Sequence, residues 1–181
     1  MIHPPIVFIM PFVQAGEGSV RSVSVVLGSD SDREIVTGLA STLEELGISF
    51  EKRIISAHRT PEILNKYVED AECRGVAVFI AVAGMAAALP GVIASLTTLP
   101  VIGVPVAHGA PTLGLDALLS MVQMPPGVPV ATVALNGGKN AALLAAEMLA
   151  LTDKGLKDRL IQYREKQRQK VVDADALFSG E

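Results

Sequence analysis

Residues 75–115 read GVAVFIAVAGMAAALPGVIASLTTLPVIGVPVAHGAPTLGL, with no Asp, Glu, Lys or Arg among them. So oily a run first suggests a membrane span, since about 20 apolar residues cross a bilayer as a helix. Gly84, Pro90, Gly91, Pro100, Gly103 and Pro105 interrupt it too often for that. Two buried strands with a packed helix between them fit better, because a parallel strand covered on both faces reads as a continuous apolar run.

Working outward, further strand-like runs fall at 22–27, 49–55 and 129–135, beside those at 76–82 and 100–104. Helical spacing separates them. Ile35, Val36, Leu39, Leu43 and Leu46 make one stripe, and Ile63, Leu64, Tyr67, Val68 and Ala71 a second. Leu115, Leu118, Leu119 and Val122 make a third, and 141–151 is an Ala/Leu-rich fourth. Strands alternating with helices predict a central parallel sheet with helices on both faces and right-handed crossovers. Three regions follow: a tail at 1–20, an α/β catalytic domain at 21–151 and a C-terminal helix at 152–181. In that helix Leu156, Leu160, Tyr163, Gln167, Val171 and Ala174 recur every three or four residues among many charges, a narrow apolar face suited to a neighbouring subunit. The tail has a short apolar run broken by prolines, with no Lys or Arg before it, unlike a secretory leader.

Composition narrows the function. The 181 residues suit one domain and carry a net charge of -4 with no Trp, which argues against a nucleic-acid partner. The single Cys73 permits no internal disulfide, and a cytoplasmic location is expected. Neither His spacing nor Cys spacing suggests a metal site, and none is expected.

In parallel sheets ligands bind beyond the carboxyl ends of the strands, so the loops after them are where chemistry is sought. The first is GSDSD, 28–32. Gly28 suits a tight turn, Ser29 and Ser31 offer hydroxyls, and the helix amides that follow attract an anion. Asp32 can accept from sugar hydroxyls. A plainer role is also open: Ser31 or Asp32 caps the next helix. The second loop is SAHRTP, 56–61. Arg59 can fork onto a phosphate, and the imidazole of His58 suits proton transfer. Thr60 and Pro61 read as a helix start, Thr as N-cap and Pro in the first turn. The third is AGMAAALPG, 83–91, whose small residues let a small neutral molecule such as CO2 approach backbone amides. His108 reads as a surface residue, His3 falls in the tail, and Asp116 reads as a helix cap. There is no G-x-S-x-G elbow to make Ser29 or Ser56 a hydrolase nucleophile. A non-catalytic phosphate-ligand carrier would leave His58 and Arg59 idle.

Together these loops resemble the N5-carboxyaminoimidazole ribonucleotide mutase family, the catalytic subunit of phosphoribosylaminoimidazole carboxylase. PVIGVPV at 100–106, GLDALLSMVQMPPGVPVATVA at 114–134 and NAALLAAEML at 140–149 extend the resemblance over roughly 21–170. It implies a three-layer αβα sandwich, flavodoxin-like, with a central parallel sheet plus a C-terminal amphipathic helix reaching a neighbour in a homo-octamer. It implies interconversion of N5-carboxyaminoimidazole ribonucleotide and 4-carboxyaminoimidazole ribonucleotide in purine biosynthesis, with CO2 held between two half-reactions and no cofactor, nucleic acid or membrane involved. Carried over by motif, His58 is the general acid/base. Ser29, Asp32 and Arg59 hold the ribonucleotide, with Gly28, Ser56, Ala57, Gly84, Met85 and Ala86 lining the substrate site. One departure stands out: many bacterial members read AAHLPG in the third loop, and here that His position is Ala88. Direct carboxylation of aminoimidazole ribonucleotide by CO2 is the alternative it raises.

Overall fold

The computed structural model describes residues 22–107 and 112–179. His3, the tail at 1–20 and His108 lie outside them. Five parallel strands form one sheet: β1 (Ser22–Leu27), β2 (Phe50–Ile54), β3 (Val76–Gly84), β4 (Val101–Val106) and β5 (Ala131–Thr132), in the order β2-β1-β3-β4-β5. All four pairings are parallel. Helices α1 (Arg33–Glu45), α2 (Pro61–Cys73), α3 (Leu89–Leu96), α4 (Leu115–Val122), α5 (Gly138–Ala150) and α6 (Lys154–Ser179) cover it. The expected three-layer αβα architecture is what the chain adopts.

The charge-free stretch is the centre of that sheet. In β3 every residue from Val78 to Ala83 is buried, and β4 is buried along its whole length. The alternation of side chains then sorts two cores. Val23, Val25, Leu27, Val78, Ile80, Val82, Ile102 and Val104 face α1, α5 and the start of α6. Val26, Phe79, Ala81, Ala83 and Val101 face α2, α3 and α4. Each fully buried aliphatic side chain contributes about 1.5–3 kcal/mol relative to exposure. Among the described residues no helix is long and apolar enough to cross a membrane.

Three sequence expectations shift in detail. The fifth strand shrinks from 129–135 to Ala131–Thr132; beyond it the chain keeps single backbone bonds to β4 from Val133 and from Asn136, whose φ is 57°. On α4 the leucine stripe faces outward: Ala117 and Met121 are buried, whereas Leu115, Leu119 and Val122 are exposed. Gly103 explains this, since a Cβ there would lie 2.9 Å from Met121 Sδ, so Met121 fills the space a strand side chain would take. Ile63 also points to solvent, leaving Leu64, Tyr67, Val68 and Ala71 as the buried face of α2.

Among the described residues, polar side chains buried in the layers are paired except the Thr132 hydroxyl, which has no hydrogen-bond partner. The buried Ser24 hydroxyl shares a hydrogen bond with Tyr67 Oη (2.7 Å), and Tyr67 Oη donates to Glu51 Oε1 (2.7 Å), which also takes Arg74 Nη2. Burial first, then the Glu51 carboxylate, pushes the Tyr67 hydroxyl up to about 12. Only the first half of α6 lies on the domain. Leu156 and Leu160 are buried, Arg159 Nε donates to the Leu46 carbonyl (2.8 Å), and Lys166 pairs with Glu45. Val171, Val172, Leu177 and Phe178 are exposed on its outer half.

Gly138 sets how closely α5 approaches α1, since a Cβ there would stand 2.7 Å from the Ile35 carbonyl oxygen. Gly138→Ala is therefore expected to cost about 1–3 kcal/mol in urea unfolding through overpacking. Gly155→Ala, where a Cβ would meet only the Arg159 and Asp153 side chains, both at 3.4 Å, is expected to cost nothing. Equal costs at the two positions would mean that the α1–α5 contact is not the constraint.

Candidate functional site

The chain runs from β1 outward to β2 and returns past β1 to β3, so the strand order reverses between β1 and β3. A crevice opens there at the carboxyl ends of the strands, as the geometry of parallel sheets requires. A cavity of about 440 Å³ occupies it. Gly28, Ser29, Ser31 and Asp32 reach it from β1, and Ser56, Ala57, His58 and Arg59 from β2. Gly84, Met85, Ala86, Ala87 and Ala88 arrive from β3, with Leu89 and with Val106 from β4 behind them. Every residue expected to act on or line the substrate site thus borders one space, while Thr60 and Pro61 stand outside it. Larger surface grooves elsewhere, such as that between α1 and Lys52–Ile54, gather none of these loops.

The first loop folds into a 3-10 turn, Asp30–Asp32, ahead of α1. Its cap differs from the expectation. Ser29 is the capping residue, with its Oγ accepting from the Ser31 amide, while Asp32 Oδ2 accepts from the Ser29 amide (3.2 Å). Asp32 stands at the N-cap position of α1 but sends no side-chain bond into that helix. Ser31 Oγ donates to Asp32 Oδ1 (3.3 Å). The turn is therefore closed on itself, with the carboxyl of Asp32 buried beside the cavity. Gly28 does not adopt a left-handed conformation, and a Cβ there would make only ordinary contacts, the nearest at 3.7 Å. Its lack of a side chain leaves room on the cavity side.

The second loop is organised by Ser56. Its carbonyl accepts from the Thr60 amide (2.9 Å) and the Thr60 hydroxyl (3.0 Å), and its amide donates to Thr60 Oγ1 (3.2 Å). The Thr60 side chain thus bonds back to Ser56 rather than forward into α2, although Pro61 does open that helix and the Thr60 carbonyl accepts from the Leu64 amide (3.1 Å). Ser56 Oγ accepts from the Arg59 amide (3.2 Å) and Arg59 Nε (3.3 Å). Arg59 keeps both terminal Nη groups for an anion. His58 lies on the same loop, exposed and lining the cavity, and among the described residues no hydrogen bond holds its imidazole.

The third loop carries strain. Met85 has φ 56° and Ala87 φ 37°, left-handed values uncommon for residues with a side chain, closed by the Ala87 amide donating to the Gly84 carbonyl (3.1 Å). Nothing in AGMAAA signals this from sequence. Ala87, Ala88, Leu89 and Val106 also line the cavity without having been singled out as contacts; their bland side chains give no chemical signal. Elsewhere, Asp116 lies in the first turn of α4 and accepts from the Ala117 amide (2.8 Å), while Gly114 holds the N-cap position. Among the described residues no three His, Cys, Asp or Glu side chains gather to hold a metal ion.

Burial raises the Asp32 carboxyl above its ordinary value of 3.8, against the lowering pull of its bonds from Ser31 and Ser29. The folded state thus favours its neutral form. That contribution is full below the ordinary carboxylate value and is lost as pH rises through the raised one, so at neutral pH the ionised carboxylate costs stability. Asp32→Asn keeps an acceptor for the Ser29 amide and removes the charge. It is expected to stabilise the fold at about pH 7 and to lose that advantage toward about pH 3 in denaturation curves. A pH-independent effect would contradict this account.

Comparison with known proteins agrees with the architecture. The family model described as AIR carboxylase matches residues 22–170. The N5-carboxyaminoimidazole ribonucleotide mutase of Methanocaldococcus jannaschii is 53% identical over 153 residues, 84% of this chain and 94% of that protein. The chloroplastic phosphoribosylaminoimidazole carboxylase of Vigna aconitifolia is 53% identical over 148 residues, 81% of this chain but 26% of that protein. The crystal structure of Treponema denticola PurE superposes with a TM-score of 0.75 at 30% identity, covering 86% of this chain and 97% of the other.

Proposed function

The chain belongs to the AIR carboxylase family, and on that premise we propose that it interconverts N5-carboxyaminoimidazole ribonucleotide and 4-carboxyaminoimidazole ribonucleotide in purine biosynthesis, with His58 as its proton carrier. The observation that carries the reading is the convergence of the GSDSD, SAHRTP and AGMAA loops on one cavity, in a chain about half identical to proteins named as this mutase.

The chemistry follows from the residues. Arg59 and the Ser29 turn take the phosphate, because the guanidinium fork and a helix start both favour a dianion. Asp32 accepts from the ribose hydroxyls. His58 gives a proton to the carbamate nitrogen as its bond to the carboxyl carbon breaks, which frees CO2 and the aminoimidazole. CO2 stays against the small-residue wall at 84–88. The ring carbon C4 then attacks it, and His58 takes back the proton that C4 sheds. The proton and the CO2 are both conserved over the cycle. Holding the two fragments in one compartment makes recombination effectively unimolecular, and keeping water out prevents loss of CO2. The enzyme acts in the cytoplasm as a homo-octamer. The exposed leucines of α4 and the exposed outer half of α6 support such an assembly.

A second reading is direct carboxylation of aminoimidazole ribonucleotide by CO2. Ala88, which stands where the mutase pattern AAHLPG has its His, lines the cavity and favours it. Purified protein is to be given either N5-carboxyaminoimidazole ribonucleotide or aminoimidazole ribonucleotide with CO2. Product from the carbamate with only a weak CO2 reaction is expected; product from CO2 alone would establish the second reading. His58→Asn is expected to lower kcat at least about 100-fold with nucleotide binding retained. Intact turnover would remove its role. Arg59→Ala is expected to raise KM about tenfold, and an unchanged KM would move the phosphate elsewhere. Light scattering should give a mass well above a dimer, and a clean monomer would refute the octamer.

A further inference from the structure

Asn136 lies outside the cavity and has no part in the chemistry above, yet it ends on the strand that walls the cavity. β5 stops at Thr132, but pairing with β4 does not. The Val133 amide donates to the Gly103 carbonyl (3.0 Å), and the Asn136 amide to the Pro105 carbonyl (2.8 Å). Just past the end of β4 stands the Ala107 amide, and the Asn136 side chain accepts it through Oδ1 at 2.9 Å. The left-handed backbone of Asn136, which Asn tolerates better than most residues, turns the chain so that its own amide group takes the place of a strand carbonyl.

The end of β4 is a tight place. Val106 lines the cavity and pairs with Gly84 of β3. A Cβ on Gly84 would lie 3.4 Å from both Val106 Cβ and the Val106 carbonyl oxygen. Gly84 opens the strained turn through Met85 and Ala87. From the other side α4 closes in, since a Cβ on Gly114 would stand 2.8 Å from Ala107 Cα. Ala107 is thus clamped between Asn136 and the start of α4, and Val106 carries that position to the turn at 84–88.

We propose that Asn136 is a positioning residue for the reaction: its side chain finishes the β4 ladder and so fixes Val106 and the wall against which CO2 is held. The inference rests on the mutase reading of the site. Ser29, Asp32, His58 and Arg59 follow β1 and β2, so loosening β4 leaves nucleotide binding intact. What it opens is the compartment where CO2 and the aminoimidazole must recombine, and the fragments escape.

Asn136→Gly keeps the backbone conformation and deletes the acceptor; Asn136→Asp keeps the acceptor. Both variants and the wild type are to be assayed with N5-carboxyaminoimidazole ribonucleotide for kcat, KM and the share of consumed substrate released as aminoimidazole ribonucleotide, corrected for decay without enzyme. Hydrogen exchange at the Ala107 amide is measured in parallel. Asn136→Gly is expected to lower kcat about tenfold, change KM less than about twofold, raise the released share and speed Ala107 exchange about tenfold. Asn136→Asp should restore most of each. Wild-type kcat and release in Asn136→Gly, or a loss that Asn136→Asp fails to restore, overturns the proposal. An inactive wild type would instead sink the mutase reading, and unchanged Ala107 exchange in Asn136→Gly would then still overturn the tie to β4.

Discussion

Burial of β3 and β4 on both faces is the constraint from which the rest of the molecule follows. A strand with no polar side chain cannot face water on either side, so helices must cover both surfaces. Covering both surfaces forces crossover connections, and crossovers keep every strand parallel. Parallel strands deliver all their carboxyl ends to one rim. His58, Arg59, Ser29 and Asp32 meet there, just past the buried Leu27 and Ile55.

The rim is built from short-range hydrogen bonds. Ser29 and Asp32 close a turn on each other, and Ser56 closes one with Thr60 and Arg59. In each case a side chain that a sequence reader assigns to a helix cap bonds backward instead. The forward amides of α1 and α2 are left without those side-chain caps on the cavity side, which suits an anion. The third wall works differently. It has no hydrogen-bonding side chain, and its shape comes from two residues in left-handed conformations, closed by the Ala87 amide on the Gly84 carbonyl.

The fold was legible because its signals are long-range and redundant. Charge-free runs, turn residues and helical stripes all pointed to one parallel sheet. The three loops were legible because polar residues at strand ends stand out against an apolar chain. The shape of 84–88 was not, since an Ala/Gly sequence is compatible with many backbones and only its neighbours select one. The outward leucines of α4 misled for a related reason: periodicity shows that a helix has an apolar face, while the space over Gly103 decides which face Met121 takes inward. Asn136 escaped notice because a single Asn after a strand reads as a turn residue, and its second task depends on where β4 ends.

β2 is the edge of the sheet, hydrogen-bonded to β1 alone, with Lys52, Arg53 and Ile54 exposed along it. Those charges keep the open edge from pairing with another chain. They also give the rim two unequal halves. Local opening costs less for a strand paired along one side than for one paired along both. Ser29 and Asp32 follow a central strand and share its rigidity. His58 and Arg59 follow the edge and inherit its compliance, so the molecule places its most mobile chemistry on the strand that can breathe without disturbing the core.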